Sequence, residues 1–154
     1  DDLHRDVSEL LHQGMNTVIL VGECSDWGKF HTIPFTVLKG SFRLVDEAIE
    51  SVEDDILPCG DICQRGYPNF AGILNYEAII NGKEHSIIKV NANDPVEVTV
   101  NSKKVADLVY EPRVCDVSDY LDEGENRLVF TVRTKLKNIF SKPEEAGIVS
   151  VELQ

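Results

Sequence analysis

The sequence predicts an all-β fold of antiparallel strands, a sandwich or a barrel, and three observations carry that prediction. Val (18) and Ile (12) together outnumber Ala (6) five to one, and branching at Cβ suits a pleated, half-buried surface while restricting χ1 in a helix. Several segments alternate apolar and polar residues with a period of two. Short turns rich in Gly, Pro, Asn and Asp separate them. The chain has 154 residues, 42% hydrophobic and 27% charged. That is long enough for an ordinary domain core and too apolar for a mostly disordered chain.

The elements follow in order along the chain. Asn16-Thr17-Val18-Ile19-Leu20-Val21 is continuous enough to be a fully buried strand. Ser41-Phe42-Arg43-Leu44-Val45 also reads as a strand, although Val45, Ala48, Ile49, Val52 and Ile56 fall at helical spacing and leave a short helix over 44–57 as an alternative. Ile73 to Ile80 is a strand that runs into Asn81-Gly82, a hairpin signal, with Glu84 to Val90 as the returning strand. Val96-Glu97-Val98-Thr99-Val100 alternates without a fault. Arg127 to Val132 reads as buried, and Ile148 to Leu153 alternates with one slip.

Charge and cysteine content exclude some functions. Fifteen Lys and Arg stand against 27 Asp and Glu, a net charge of −12. Such a chain repels phosphates, which argues against nucleic acid and against an anionic membrane surface. No apolar run approaches the ~18 residues of a membrane span. The start, Asp1-Asp2-Leu3-His4-Arg5, lacks the basic and apolar regions of a signal peptide. Cys24, Cys59, Cys63 and Cys115 are too few for a disulfide scaffold, and Cys59-x-x-x-Cys63 has neither zinc-knuckle nor redox-pair spacing. Two or three of these four thiols are expected to act as small buried hydrophobes.

An internal echo is the most informative feature. Asp6-Val7-Ser8-Glu9-Leu10-Leu11-His12-Gln13-Gly14-Met15-Asn16 recurs at an offset of 116 − 6 = 110 as Asp116-Val117-Ser118-Asp119-Tyr120-Leu121-Asp122-Glu123-Gly124-Glu125-Asn126. The Asp and Ser can close a local turn through their side chains, and a single helical or 3₁₀ turn then presents one Leu to a core. The Gly permits a positive φ, and the Asn opens a buried strand.

These residues resemble a known family. The pattern D-V-S-x-x-L-x-x-G-x-N before a buried strand is similar to the galactose-binding-like jelly-roll modules of glycoside hydrolases, in particular the sugar-binding domains of family 2 type and rhamnosidase-like enzymes. Val96 to Ala106 resembles that family's strand, N-G turn and returning strand, with Ser102 in place of the usual Gly. Arg65 to Tyr76 resembles its G-Y-P-x-Y-x-G-x-x-x-Y strand opening, and Gly147 to Leu153 its closing strand. The resemblance implies an antiparallel jelly-roll β-sandwich over residues 34–154, with short helical turns. Residues 1–33 then resemble the terminal strands of a preceding, similar module, and the chain a C-terminal fragment of a larger enzyme; the alternative is that residues 1–30 add strands to the same sandwich. It also implies two partners, the catalytic domain of the same polypeptide and a glycan. The compartment stays open between the bacterial cytoplasm and secretion with the parent enzyme.

Catalysis is not expected of the chain itself. Glycoside hydrolysis needs two carboxylates about 5 to 9.5 Å apart across one sugar. Asp54-Asp55, Glu144-Glu145 and Asp122-Glu123 instead lie in polar turns. His4, His12, His31 and His85 show no paired-ligand spacing, and no nucleophile elbow, phosphate loop or dinucleotide fingerprint is present. Carbohydrate binding is the open functional class, because a sugar packs its C–H face on an aromatic ring and offers hydroxyls to planar polar groups. The candidate contacts are Trp27, Arg65, Tyr67, Asn69 and Tyr110, with Phe70 a weaker aromatic. No cofactor is expected. Members of the resembled family often hold a structural Ca²⁺, but Asp61 and Asp94 form no ligand series with calcium spacing, so no metal is assigned. The competing reading is a β-sandwich used for protein association, with no sugar ligand.

Overall fold

A computed structural model describes residues 4–19, 21, 37–46, 48–53 and 56–154. The chain divides into two units, Asp1–Lys39 and Gly40–Gln154. The second unit holds β1 (Phe42–Val45), β2 (Ala48–Ser51), β3 (Ile73–Asn81), β4 (Ile87–Ala92), β5 (Val96–Val100), β6 (Lys103–Leu108), β7 (Val114–Asp116), β8 (Glu125–Arg133), the one-turn helix α1 (Lys137–Phe140) and β9 (Ile148–Leu153). Single 3₁₀ turns occupy Ser8–Leu10, Ile62–Arg65 and Ser118–Tyr120. One antiparallel sheet has the order β3-β8-β5-β6, another β7-β4-β9, and β1 pairs with β2 alone. The fold is an all-β sandwich with short helical turns.

Alternation builds the core. Val96, Val98 and Val100 point inward from β5, and Leu128, Phe130 and Val132 from β8. They meet Ile88, Val90 and Ala92 of β4 and Ile148 of β9 from the facing sheet. Each large aliphatic side chain removed from water here contributes about 1.5–3 kcal/mol. Strand β8 is central, since it pairs with β3 over nine residues and with β5 over five. Its near-continuous apolar run follows from that position.

Three expectations give way to tertiary structure. Strands β3 and β4 do not form a hairpin: β3 pairs with β8, while β4 pairs with β7 and β9 in the other sheet. Gly82 (φ +71°) still makes a sharp turn, but its N–H bonds to Gly124 O at 2.8 Å, which docks the turn on the second echo copy and sends the chain across the sandwich. Over 44–57 the described residues form the β1–β2 hairpin instead of a helix, with Asp46 left-handed (φ +48°) between the strands. Residues 15–19 and 21 belong to no ladder among the described residues, and Val18, Ile19 and Val21 are exposed. An apolar run becomes a strand only where another edge accepts its hydrogen bonds. The Asn101-Ser102 turn keeps its hairpin without Gly, both residues taking positive φ (+48° and +65°) as a type I′ turn requires.

Both echo copies fold identically at close range. Val7 and Val117 have φ/ψ of −120°/7° and −114°/5°, and Leu11 and Leu121 of −80°/140° and −88°/138°. In each, the Asp Oδ1 accepts the Ser N–H at 2.9 Å. The Ser8 hydroxyl and then its N–H lower the carboxyl pKa of Asp6, and the Ser118 N–H and then its hydroxyl that of Asp116. The Asn then clamps the turn. Asn16 bonds the N–H and C=O of His12 at 3.0 and 2.8 Å, and Asn126 those of Asp122 at 2.7 and 2.9 Å. Only Gly14 takes a positive φ (+100°), so the Gly is needed for that purpose in one copy alone. Burial separates the copies. Val117, Leu121, Asn126 and Leu128 are buried, whereas Leu11, Asn16 and Val18 are exposed.

Asn126 also accepts from Asn101 Nδ2 (2.8 Å) and donates to Gly82 O (3.2 Å), bonds that Asn16 lacks among the described residues. Asn126→Ala should therefore destabilise the sandwich by about 3 kcal/mol, since the fully buried side chain is lost together with its bonds to Asp122, Gly82, Gly124 and Asn101. Asn16→Ala should cost less than about 0.5 kcal/mol. Urea unfolding of both variants measures the contrast, and equal losses would refute it.

Candidate functional site

The loop 59–72 carries three of the sequence-predicted residues and is fastened to the segment 134–148. Gly60 N–H donates to Ile148 O (2.8 Å) and Ile62 N–H to Ala146 O (3.1 Å). Asp61 caps the 3₁₀ turn, its Oδ1 accepting from Cys63 N–H (3.0 Å) and Ala146 N–H (3.2 Å). Gly72 N–H donates to Thr134 Oγ1 (2.9 Å) and Thr134 N–H returns to Gly72 O (3.0 Å). Asn138 of α1 closes the far side, donating to Glu144 O (3.0 Å) and accepting from Glu144 N–H (3.1 Å). Gly147 has φ +92°, and a Cβ there would collide with the Tyr76 hydroxyl, which accepts from Ile148 N–H at 3.2 Å.

Arg65 and Asn69 are exposed on this loop and Tyr67 is half-buried beside them. Arg65 is partly committed to the loop, donating to Cys59 O at 3.2 Å. Tyr110 is 84% exposed in the β6–β7 connection, on a different loop from the 65–69 group. Phe70 is half-buried and packs its ring toward Gly72. Trp27 lies outside the described residues. Three candidates thus share one anchored loop, and Tyr110 stands apart.

A polar cluster not foreseen as a site lies behind the loop. Asp94, between β4 and β5, is only 1% exposed. Burial raises its carboxyl pKa, against the opposing pull of the Lys135 ammonium, the Gly147 N–H and the Arg113 guanidinium. Lys135 Nζ stands 3.8 Å from Asp94 Oδ1. Buried Arg113 pairs with Glu111. Asn93 donates to Glu145 Oε2 at 2.7 Å, and Lys137 pairs with Glu144, which lowers the Glu144 pKa. A loop Asp before a Pro is common turn chemistry, so nothing in sequence separated Asp94 from its solvated neighbours.

The arrangement offers little reactive chemistry. An apolar cleft of about 180 Å³ opens between the sheets, lined by Tyr76, Ala78, Leu128, Phe130, Val151 and Leu153. Its one carboxylate, Glu77, is held by Arg127 at 2.6 Å. Two facing acids are not available there. Desolvation pushes the Cys63 thiol up to about 11, the nearby Asp61 charge adding to it, so it is not a thiolate at neutral pH. Burial likewise raises Cys115. Among the described residues no group of three or more His, Cys, Asp or Glu could hold a metal ion, and no helix is long and apolar enough to cross a membrane.

Comparison with known proteins adds a local likeness. A scan against protein-family descriptions returns no match, and neither does a search of curated proteins. Among solved structures, a rhamnosidase from Novosphingobium sp. PP1Y is similar over 46% of this chain at 25% identity with a TM-score of 0.40. The likeness covers 7% of that protein's length.

Two outcomes are expected. Exposed Cys59 should react with iodoacetamide at pH 8 at least about tenfold faster than Cys63, read by peptide mass spectrometry; equal rates would contradict the thiol environment. For Asp94 the folded pKa lies above the ordinary 3.8, so its stabilising contribution is full below that value and is lost as pH rises through the raised pKa. Asn mimics the protonated acid. The stability of Asp94→Asn relative to the native chain should therefore increase from pH 3 to pH 7, and a decrease in urea titrations would reverse the assignment.

Proposed function

We propose that this chain is a non-catalytic accessory β-sandwich of a glycoside hydrolase, bracing the catalytic domain of the same polypeptide. The duplicated turn is the observation that carries this reading. The second copy is built into a sandwich, with Val117, Leu121 and Asn126 buried, and the first has the same local hydrogen bonds while Leu11 and Asn16 are exposed. Residues 1–33 are accordingly the end of a preceding, similar module, and the chain belongs to a series of sandwiches. The ordered resemblance of residues 65–76, 96–106, 116–126 and 147–153 to modules of family 2 type and rhamnosidase-like enzymes supports the enzyme class. The apolar character of the cleft and the paired state of Glu77 support a role without chemistry.

Glycan binding is the second reading, favoured by the placement of Arg65, Tyr67 and Asn69 on one anchored loop, with Trp27 and Tyr110 as further candidate platforms. Protein association without a sugar ligand is the third.

The reading frame upstream of Asp1 tests the bracing role. A catalytic domain and a sandwich whose last turn is completed by residues 6–16 are expected; a start codon directly before Asp1 would end this reading. Calorimetric titration with rhamnose, galactose, glucose and xylose separates the other two. Bracing alone gives no heat of binding, whereas a heat abolished by Tyr67→Ala would assign the loop to glycan.

A further inference from the structure

Nine asparagines occur in the chain, and only Asn81 precedes a glycine. The pairing matters chemically. A side-chain amide can be attacked by the backbone nitrogen of the following residue, and Gly, lacking Cβ, leaves that nitrogen open to approach. Other asparagines at the same corner are tied down. Asn126 Nδ2 donates to Gly82 O, Asp122 O and Gly124 O, and its Oδ1 accepts from Asp122 N–H and Asn101 Nδ2. Asn101 Oδ1 accepts from Arg127 N–H at 3.0 Å. Asn81, the last residue of β3, is exposed.

The fold restrains the attacking atom. Gly82 N–H, which must lose its proton before the nitrogen can attack, donates to Gly124 O at 2.8 Å. An amide proton held in a backbone bond reaches solvent only when that bond opens. The Gly82 carbonyl is fixed as well, by Asn126 Nδ2 at 3.2 Å. On either side of Gly82, Asn81 is paired across the ladder with Glu125, and Lys83 lies 3.5 Å from Glu123. Attack on the Asn81 amide therefore requires this corner to open.

We propose that Asn81 is a self-modification site which the Gly82–Gly124 bond holds in check, and that its conversion irreversibly unlatches the β3–β4 corner from β8. Water is the only co-reactant. On opening, hydroxide removes the Gly82 N–H proton and the nitrogen forms a bond to Asn81 Cγ. The Cγ–Nδ2 bond breaks, and ammonia leaves after taking a proton from water. A second water opens the cyclic imide. Cleavage at Cγ leaves an aspartate, whereas cleavage at the main-chain carbonyl leaves an isoaspartate, in which Cβ has joined the backbone. No group is oxidised or reduced. Both products oppose the latch, because each sets a carboxylate across the ladder from Glu125 and close to Glu123, and like charges directly opposite are unfavourable. The isoaspartate also lengthens the backbone before Gly82 and shifts that residue from Gly124 O and Asn126 Nδ2. The site belongs to the sandwich itself and holds whatever enzyme the chain serves.

Amide loss at Asn81 is followed at pH 8 by peptide mass spectrometry, in the whole chain and in the capped peptide IINGKE, which has the sequence of residues 79–84. The peptide should convert at least about tenfold faster than the chain, since the closed corner reacts only through opening. Within the chain, Asn81 should convert before any other asparagine. Equal rates, no conversion of the peptide, or earlier conversion elsewhere in the chain overturns the site. Asn81→Asp tests the latch, because it supplies the charge of the product without the reaction. It should lower the protection of the Gly82 amide against hydrogen exchange at least about threefold, and adding Glu125→Gln should restore it. Unchanged protection in Asn81→Asp, or no recovery with Glu125→Gln, overturns the unlatching.

Discussion

The Asn126 side chain is the constraint on which the sandwich depends. It lies at the start of β8, the strand that pairs on both sides, and it bonds the turn before that strand to the loops of its neighbours. Its amide closes the Asp122–Gly124 turn, reaches Gly82 after β3 and accepts from Asn101 in the β5–β6 turn. Asn101 in turn exchanges bonds with the Arg127 backbone at 2.9 and 3.0 Å. Three loops that belong to different strand pairs are thereby held at one point. The register of β8 against β3 and β5 follows, and with it the inward set Leu128, Phe130 and Val132.

The opposite requirement, tying irregular loops to a rigid sheet, is met by backbone bonding between residues 60–72 and 134–148. Asp61 and Asn138 use local side-chain bonds to finish segments that have no ladder of their own. Asp94 lies behind them as a buried carboxylate whose charge is costly to hold and only partly offset by Lys135 and Arg113. Candidate sugar contacts on this loop are therefore presented by a fixed frame rather than by a free segment. The cleft lined by Tyr76, Ala78, Leu128, Phe130, Val151 and Leu153 has the contrary character and is apolar.

Composition and period made the fold class readable, because Val and Ile at alternating positions have few other stable uses in a chain of this size. The echo was equally readable, since Asp, Ser and Asn act on backbone within four residues of themselves. Partnerships were not. Asn81-Gly82 signals a turn, but whether the next strand returns beside β3 or crosses to the other sheet depends on Gly124, more than forty residues away. The apolar run 16–21 matches β8 in pattern and sequence context, yet its described residues 16–19 and 21 belong to no ladder among the described residues. Asp94 illustrates the same limit at the level of a site, for the groups that offset its burial, Lys135, Gly147 and Arg113, come from three separate segments.

The amino-acid sequence by itself determined the β class, the two copies of one turn and the net charge of −12, each a consequence of side-chain shape, local hydrogen bonding or composition. Tertiary structure alone decided which strands pair and which copy of the turn is buried. Those outcomes rest on contacts between residues far apart in the chain. Two segments with the same local geometry therefore differ, one the centre of a sandwich and the other presented to solvent.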